Sequence, residues 1–153
     1  MGNEGDDSIS GSLAAEIYGN QGSDWLEGGL GIDTIFAGQD NDTIFNKVTD
    51  SADIAAGNKG ADLFWLSVAG TAGSISAGGR MTITDFTTED TLLISNAATS
   101  ITVTALAITS VSDAGGDVTL KHNGGSIVLK GIGDGSLNDV DDLLQAGYNI
   151  DFA

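Results

Sequence analysis

Residues 19–45 read GNQGSDWLE, GGLGIDTIF and AGQDNDTIF, three nine-residue units that follow one another without a gap. Each unit has an aspartate at its sixth place and a large apolar residue at its eighth. These pairs are Asp24 with Leu26, Asp33 with Ile35, and Asp42 with Ile44. A short fixed period indicates a repeat architecture in which every unit stacks on its neighbours.

Further copies of the unit lie on both sides of this stretch. Residues 2–10 form a good copy, and residues 57–65 form the last clear one. Residues 11–18 are one residue short and lack the glycine-aspartate pair, so this copy keeps the path of the chain but loses ligands. Residues 46–56 are long enough for one copy with an insertion, with Asp53 at the aspartate place.

The residue types within a unit predict a tight turn followed by a short strand. Small residues at the second and fourth places allow a positive φ, and the last three residues form a strand that buries one side chain. Asn and Asp tolerate the same left-handed region, and they replace glycine at Asn3, Asn20, Asp40 and Asn58. The side chains expected in the core are Ile9, Ile17, Leu26, Ile35, Ile44 and Phe64.

Such a turn directs several carbonyl oxygens inward, and the aspartate after it adds a carboxylate. Oxygen ligands of this kind suit a hard cation, and Ca²⁺ fits them best. Two alternatives are a flexible Gly/Asp-rich linker and a solenoid that stacks without metal. A linker has no reason to place an apolar residue two positions after each aspartate. In a metal-free solenoid the aspartates would add only repulsion.

The composition supports a cationic partner. The 153 residues contain 22 acidic and 5 basic residues, for a formal charge of −17. Nucleic acid and anionic membranes need clustered Lys and Arg, so neither is expected as a partner.

There is no cysteine, and His122 is the single histidine, which leaves little for zinc chemistry or a histidine-based triad. No apolar run approaches the ~20 residues of a membrane span.

Residues 2–45 and 57–65 resemble the RTX nonapeptides, the hemolysin-type calcium-binding repeats of exported toxins, proteases and lipases. The resemblance implies a parallel β-roll in which several Ca²⁺ ions lie between copies n and n+2. Asp7, Asp24, Asp42 and Asp62 would then line one side, and Asp33 with Asp53 the other. The implied metal ligands, many through backbone carbonyls, are Gly2, Glu4, Asp7, Gly19, Gln21, Gly22, Asp24, Gly28, Leu30, Gly31, Asp33, Ala37, Gln39, Asp42, Asp53, Gly57, Lys59, Asp62 and Asp85. Asp85 is either an extra ligand of the last site or a buried hydrogen-bonding carboxylate.

After Trp65 the nine-residue period ends and alternating patterns predict strands at 81–86, 91–95, 101–109, 117–121 and 126–131. A hairpin turn is expected at 123–125. Residues 136–147 predict a helix, with Ser136 as N-cap and Gly147 after its end. The expected fold is all-β: a parallel β-roll over 2–65 that continues, over 66–153, into an antiparallel β cap or sandwich with one short C-terminal helix.

The order of the later elements also resembles the C-terminal region of type I secretion substrates. That resemblance implies an export signal at about 136–153, an extracellular or cell-surface location, and a type I transporter as partner. We expect a non-catalytic calcium-binding module, the C-terminal part of a longer exported protein. An alternative is a calcium-organised module for carbohydrate or cell surfaces, for which Trp25, Phe45 and Trp65 would form a stacking surface unless they simply pack on one another.

Overall fold

The computed structural model describes residues 1–47, 52–68, 70–71, 74–75, 80–96, 108–122 and 125–153. These residues form strands with one short helix. In chain order the elements are β1 Ser8–Ser10, β2 Glu16–Gln21, β3 Trp25–Glu27, β4 Thr34–Gln39, β5 Thr43–Lys47, β6 Ala52–Lys59, β7 Leu63–Val68, β8 Gly70–Thr71, β9 Ser74–Ile75, β10 Arg80–Ile83, β11 Thr91–Asn96, β12 Ile108–Asp113, β13 Val118–His122, β14 Gly125–Leu129, α1 Val140–Gln145 and β15 Asn149–Phe152.

Successive repeats alternate between two sheets. One sheet has the order β1-β3-β5-β7-β11-β15, and the other has the order β12-β13-β14-β10-β6-β4-β2. Each repeat strand therefore pairs in parallel with the strand two copies away, as Leu26 does with Ile44 and Ile35 with Ala55. This arrangement is the parallel β-roll that the resemblance to RTX repeats implied.

Both sheets continue past Trp65. β11 pairs in parallel with β7 and with β15, and β10 pairs in parallel with β6 and with β14. Antiparallel pairing joins β12, β13 and β14, and also the small β8-β9 pair. The predicted fold is confirmed: the described residues form an all-β structure that continues into antiparallel strands and has a single short helix. Parallel pairing, however, continues past Trp65, where the nine-residue period ends.

The core runs between the two sheets. Ile17, Leu26, Ile35, Ile44 and Phe64 are buried as predicted, whereas Ile9 is only partly buried because it lies in the outermost strand of its sheet. The later strands contribute the same kind of side chain. Their fully buried members are Leu66, Ile83, Leu92, Ile94, Val118, Leu120, Ile127 and Leu129.

The helix differs from its prediction. It spans Val140–Gln145 only, and its N-cap is Asp139, whose carboxylate accepts a hydrogen bond from the N–H of Asp142 at 2.8 Å. Ser136 instead donates to Asp134, so it cannot cap the helix. Gly147 does follow the helix end, with a φ of 92°.

Two other predictions fall partly outside the described residues. The turn at 123–124 is one of them, although β13 and β14 on its two sides pair as a hairpin would. The predicted strand at 101–109 lies mostly there too, with β12 beginning at Ile108. In the part of the chain that the structure describes, no helix has the length and apolar character needed to cross a bilayer.

Candidate metal centre

A ladder of aspartates runs along one edge of the roll. The backbone N–H of each aspartate donates to Oδ1 of the aspartate two copies later, because successive turns on one side stack in register. The steps are Asp7 to Asp24 at 2.8 Å, Asp24 to Asp42 at 2.8 Å, Asp42 to Asp62 at 2.9 Å, and Asp62 to Asp90 at 2.9 Å.

A second, shorter ladder lies on the opposite edge. Ala15, in the degraded copy, donates its N–H to Oδ1 of Asp33 at 2.7 Å, and Asp33 donates to Oδ1 of Asp53 at 2.8 Å. Asp53 therefore stands at the aspartate place of its copy, as the proposed insertion required. Because Ala15 has no carboxylate, this ladder has fewer acidic groups than the first.

The second oxygen of several ladder aspartates has no protein donor. Oδ2 of Asp24, Asp33 and Asp42 is buried, and no hydrogen bond reaches any of the three. Burial raises the pKa of Asp42 to about 7, and the charges of Asp62 and Asp24 add to the effect. The pKa of Asp62 is raised to about 6, again chiefly by burial. A buried carboxylate in this state needs either a proton or a cation.

Glycine at the first place of a repeat makes room for that oxygen. A Cβ added to Gly19 or Gly57 would overlap Oδ2 of Asp24 or Asp62, the aspartate of the same copy. At Gly2 and Gly28 the added Cβ would lie 2.5 Å from Oδ2 of Asp7 and Asp33. The turn is thus closed tightly around each carboxylate.

The turns themselves stack so closely that side chains are excluded. A Cβ on Gly22 or Gly38 would overlap the carbonyl oxygen of the turn two copies earlier, Gly5 or Asn20. Of the four residues predicted to replace glycine in the left-handed region, Asn20, Asp40 and Asn58 have positive φ angles and Asn3 does not.

No three His, Cys, Asp or Glu side chains converge on one point within the described ranges. An ion in these turns would therefore rely on one or two carboxylates together with backbone carbonyls. Carbonyl and carboxylate oxygens are the ligands of Ca²⁺, and the unpaired Oδ2 atoms supply the charge, so the residues present fit this ion.

The other predicted ligands fall into three groups, at the first, third and fourth places of the repeat. The first-place residues are buried in the turns and are Gly2, Gly19, Gly28, Ala37 and Gly57. Third-place residues keep their side chains exposed, so only their backbone lies in the turn; they are Glu4, Gln21, Leu30, Gln39 and Lys59. Gly22 and Gly31, at the fourth place, have φ angles of 115° and 100°.

Asp85 lies beside the turn that contains Asp62, and besides burial its charge helps to raise the pKa of Asp62. The carboxylate of Asp85 accepts hydrogen bonds from the N–H groups of Gly57 at 3.0 Å and Asn58 at 2.9 Å. The hydrogen-bonding alternative for this residue thus has direct contacts in the structure, since both oxygens have a backbone donor.

Sequence reasoning missed Asp90 as the last member of the first ladder. It is buried, and it lies 28 residues after Asp62, whereas the earlier steps of the ladder span 17, 18 and 20 residues. Its signal was the acidic turn just before the apolar strand β11, which has the same order of aspartate and strand as a repeat.

One outer face carries an aromatic cluster. The rings of Trp25 and Phe45 stack with centroids 5.6 Å apart, and Trp65 meets Phe45 edge-on at 5.2 Å. Trp65 also donates its indole N–H to Ser95 at 2.6 Å. Trp25 is 37% exposed, so the cluster is packed within itself and still reaches solvent.

A family-model match supports the calcium interpretation. Residues 18–46 match the family model of the RTX calcium-binding nonapeptide repeat. No curated protein matches the chain. Among solved structures, the chain is similar to the AlgE6R3 subunit of the Azotobacter vinelandii mannuronan C5-epimerase, with 23% identity and a TM-score of 0.34 over 86% of this chain and 74% of that one. The matched family consists of calcium-binding repeats. Residues 18–46 of the chain are therefore RTX-like calcium-binding nonapeptide repeats, in agreement with the resemblance noted for 2–45 and 57–65.

Proposed function

We propose that this chain is the calcium-dependent folding module of an exported protein, and that its C-terminal segment carries the export signal. The observation that supports calcium-dependent folding is the set of buried, unpaired Oδ2 atoms on Asp24, Asp33 and Asp42 in a chain of net charge −17. The proposed ligands are these three carboxylates, that of Asp62, and the turn carbonyls beside them. Asp7, at the partly exposed start of the ladder, is set apart because its Oδ2 accepts the N–H of Asn3 at 3.1 Å.

Calcium binding of this kind supplies enough free energy to decide whether the roll folds. Extracellular calcium modules have dissociation constants of about 10⁻⁴ to 10⁻³ M. At ten times the dissociation constant, each site adds roughly 1.4 kcal/mol to the free energy of unfolding. Three or four sites then supply about 4 to 6 kcal/mol, which is comparable with the whole stability of a small domain. In the calcium-poor cytosol the repeats would stay open, and outside the cell they would fold.

Circular dichroism with chelator and with millimolar Ca²⁺ tests this proposal. We expect the β signal to grow on addition of Ca²⁺ and to stay low in the same concentration of Mg²⁺, which demands octahedral geometry and keeps its waters. Equal β content with chelator and with Ca²⁺ would refute calcium-dependent folding.

The export signal is proposed for residues 136–153. Its support is the resemblance of the terminal residues Ile150–Ala153 to the acidic and apolar endings of type I substrates. In the fold this segment includes α1 and β15, and Ile150 is buried against the end of the roll. Residues 2–65 and 66–153 are proposed as the calcium-binding part and the part that carries the signal.

A secretion assay tests the signal separately from calcium binding. Fusion of the last third of the chain to a passenger should direct that passenger through a type I transporter, and deletion of 136–153 should retain the protein inside the cell. Secretion of the deleted protein by the same transporter would show that the signal lies elsewhere.

A second candidate function is binding of a carbohydrate chain on the outer face of the roll. The partly exposed cluster of Trp25, Phe45 and Trp65 favours it, because flat aromatic rings suit the apolar faces of sugars. A glycan array with and without Ca²⁺ tests it. Trp25→Ala should abolish binding, and Phe36→Ala, on the opposite sheet, should leave it unchanged.

A further inference from the structure

Each aspartate ladder ends on a carboxylate whose Oδ2 is taken by a protein donor. In the shorter ladder, Oδ2 of Asp53 accepts a hydrogen bond from Nδ2 of Asn46 at 2.7 Å, and both side chains are buried. In the longer ladder, Oδ2 of Asp90 accepts from the N–H of Thr87 at 2.8 Å and from its hydroxyl at 3.0 Å.

Asp53 and Asp90 differ from the aspartates in the middle of the ladders in the hydrogen bonding of one atom, Oδ2. Asp42 and Asp53 are buried to the same degree, at 2% and 3% exposure. Each accepts the N–H of the aspartate two copies earlier through Oδ1 at 2.8 Å. Oδ2 of Asp42 has no donor, whereas Oδ2 of Asp53 has the amide of Asn46. The two carboxylates are thus a matched pair in everything except what satisfies the second oxygen.

A buried carboxylate oxygen is costly unless a proton, a cation or a hydrogen-bond donor meets it. Where Asn46 or Thr87 already donates, an ion would have to displace the donor. Displacing Asn46 would also leave its buried amide without a partner. Where no donor exists, an ion removes the cost. The same reasoning therefore assigns ions to the middle positions and none to the ends.

We propose that Asn46 and Thr87 close the two ladders without calcium. Asp24, Asp33 and Asp42 are then calcium ligands, and Asp53 and Asp90 are positioning residues that orient the next turn through Oδ1. The proposal rests on the proposed calcium-dependent function, which it sharpens by stating where binding stops. Asp53, which the repeat spacing placed among the ligands, is in this view a structural end of the ladder.

Calcium stoichiometry of the whole chain tests the proposal with the matched pair Asp53→Asn and Asp42→Asn. Both substitutions keep an oxygen for the Oδ1 hydrogen bond and remove one charge. In Asp53→Asn the side chain of Asn46 can turn its own oxygen toward the new amide. Isothermal titration of calcium-stripped protein gives the number of ions, and the unfolding temperature at saturating Ca²⁺ gives a readout independent of that number.

We expect Asp53→Asn to bind as many ions as the unchanged chain, with midpoints within about threefold, a difference well under 1.4 kcal/mol. Asp42→Asn should lose an ion or shift its midpoint by at least about tenfold. Loss of an ion in Asp53→Asn would overturn the proposal while leaving calcium binding by the ladder intact. If neither variant loses an ion, the ladder itself is not the calcium site.

A gain of function provides a second test should Asp53→Asn fold poorly. Asn46→Asp replaces the donor by a second carboxylate next to Oδ2 of Asp53, which creates the kind of oxygen pair that calcium bridges. This variant should bind one ion more than the unchanged chain and should unfold more easily after calcium is removed. Failure to take up the additional ion would contradict the idea that Asn46 is what excludes calcium there.

Discussion

The N–H of Asp24 donates to Oδ1 of Asp42 at 2.8 Å, a contact between two residues 18 positions apart. This bond fixes one oxygen of the carboxylate and leaves the other without a protein donor. The carboxylate of Asp42 therefore both holds the neighbouring turn, through Oδ1, and supplies a charge for an ion, through Oδ2. A change at one aspartate is expected to affect both the turn that contains it and the turn that donates to it.

The two ladders should respond differently to loss of a charge. Asp42 has acidic neighbours on both sides, Asp24 and Asp62, whereas Asp33 lies between Ala15 and a carboxylate that Asn46 already satisfies. Asp42→Asn should therefore weaken two neighbouring sites and shift the calcium midpoint of folding more than Asp33→Asn does. Calcium titrations followed by circular dichroism measure both shifts. Equal shifts would mean that the two edges hold ions equally well.

Stability without calcium should fall as pH rises. Burial raises the pKa of Asp42 to about 7 and that of Asp62 to about 6, above the usual 3.8. Between about pH 4 and 7 the folded chain thus binds more protons than the unfolded chain, so the free energy of unfolding decreases as pH increases. The stabilising effect of these protons is complete below about pH 4 and lost above about pH 7.

Thermal unfolding of calcium-stripped protein at pH 5 and pH 8 checks this, and we expect the higher midpoint at pH 5. Saturating Ca²⁺ should remove most of the difference, because the ion replaces the protons. A higher midpoint at pH 8 in the absence of calcium would contradict the assignment of protons to these two carboxylates.

Gly19→Ala should destabilise the roll, since the new Cβ would overlap both Oδ2 of Asp24 and the carbonyl oxygen of Ala37. Forcing such atoms apart typically costs about 1–3 kcal/mol. Gly116→Ala is the matched control: it too has no left-handed φ, and an added Cβ would meet nothing within 4 Å. That control should be neutral or stabilising by about 0.4–1 kcal/mol. Denaturant unfolding in saturating Ca²⁺ compares the two, and an equal effect would show that the turn is looser than described.

Removal of residues 149–153 should lower the unfolding midpoint without abolishing calcium binding. β15 pairs with β11, where Leu92 faces Ile150 in register, while the proposed ligands Asp24, Asp33 and Asp42 lie outside both strands. Loss of this pairing would uncover the β11 edge, including buried Leu92 and Ile94. Differential scanning calorimetry and calcium titration on the same sample separate the two effects. Loss of all calcium binding would show that the roll depends on its last strand.

The nine-residue period predicted the core of the roll well because its physics is local. A glycine turn, an aspartate and one buried apolar residue recur within each unit, so burial of Leu26, Ile35 and Ile44 followed directly. Alternation between the two sheets was implied by the resemblance to RTX repeats. The hydrogen bonds from Asp62 to Asp90 and from Asn46 to Asp53 were not predicted, because the residues in each pair are separated by a spacing outside the period. The helix start was misplaced because Ser136 and Asp139 are both good caps. The hydrogen bonds of Ser136 to Asp134, two residues earlier, distinguish them.

The pairing of the last strand also bears on the order in which the roll assembles. Ladder contacts such as Asp24 with Asp42 close loops of 18 residues, but the hydrogen bond from Asn149 to the carbonyl of Asp90 joins residues 59 apart. Loop-closure entropy makes the longer connection less favourable by about 1 kcal/mol. The repeats can therefore form by closing one short loop at a time, whereas pairing of β15 with β11 requires closure of a longer loop. We expect refolding kinetics in which the ladder forms early and the C-terminal strand docks last.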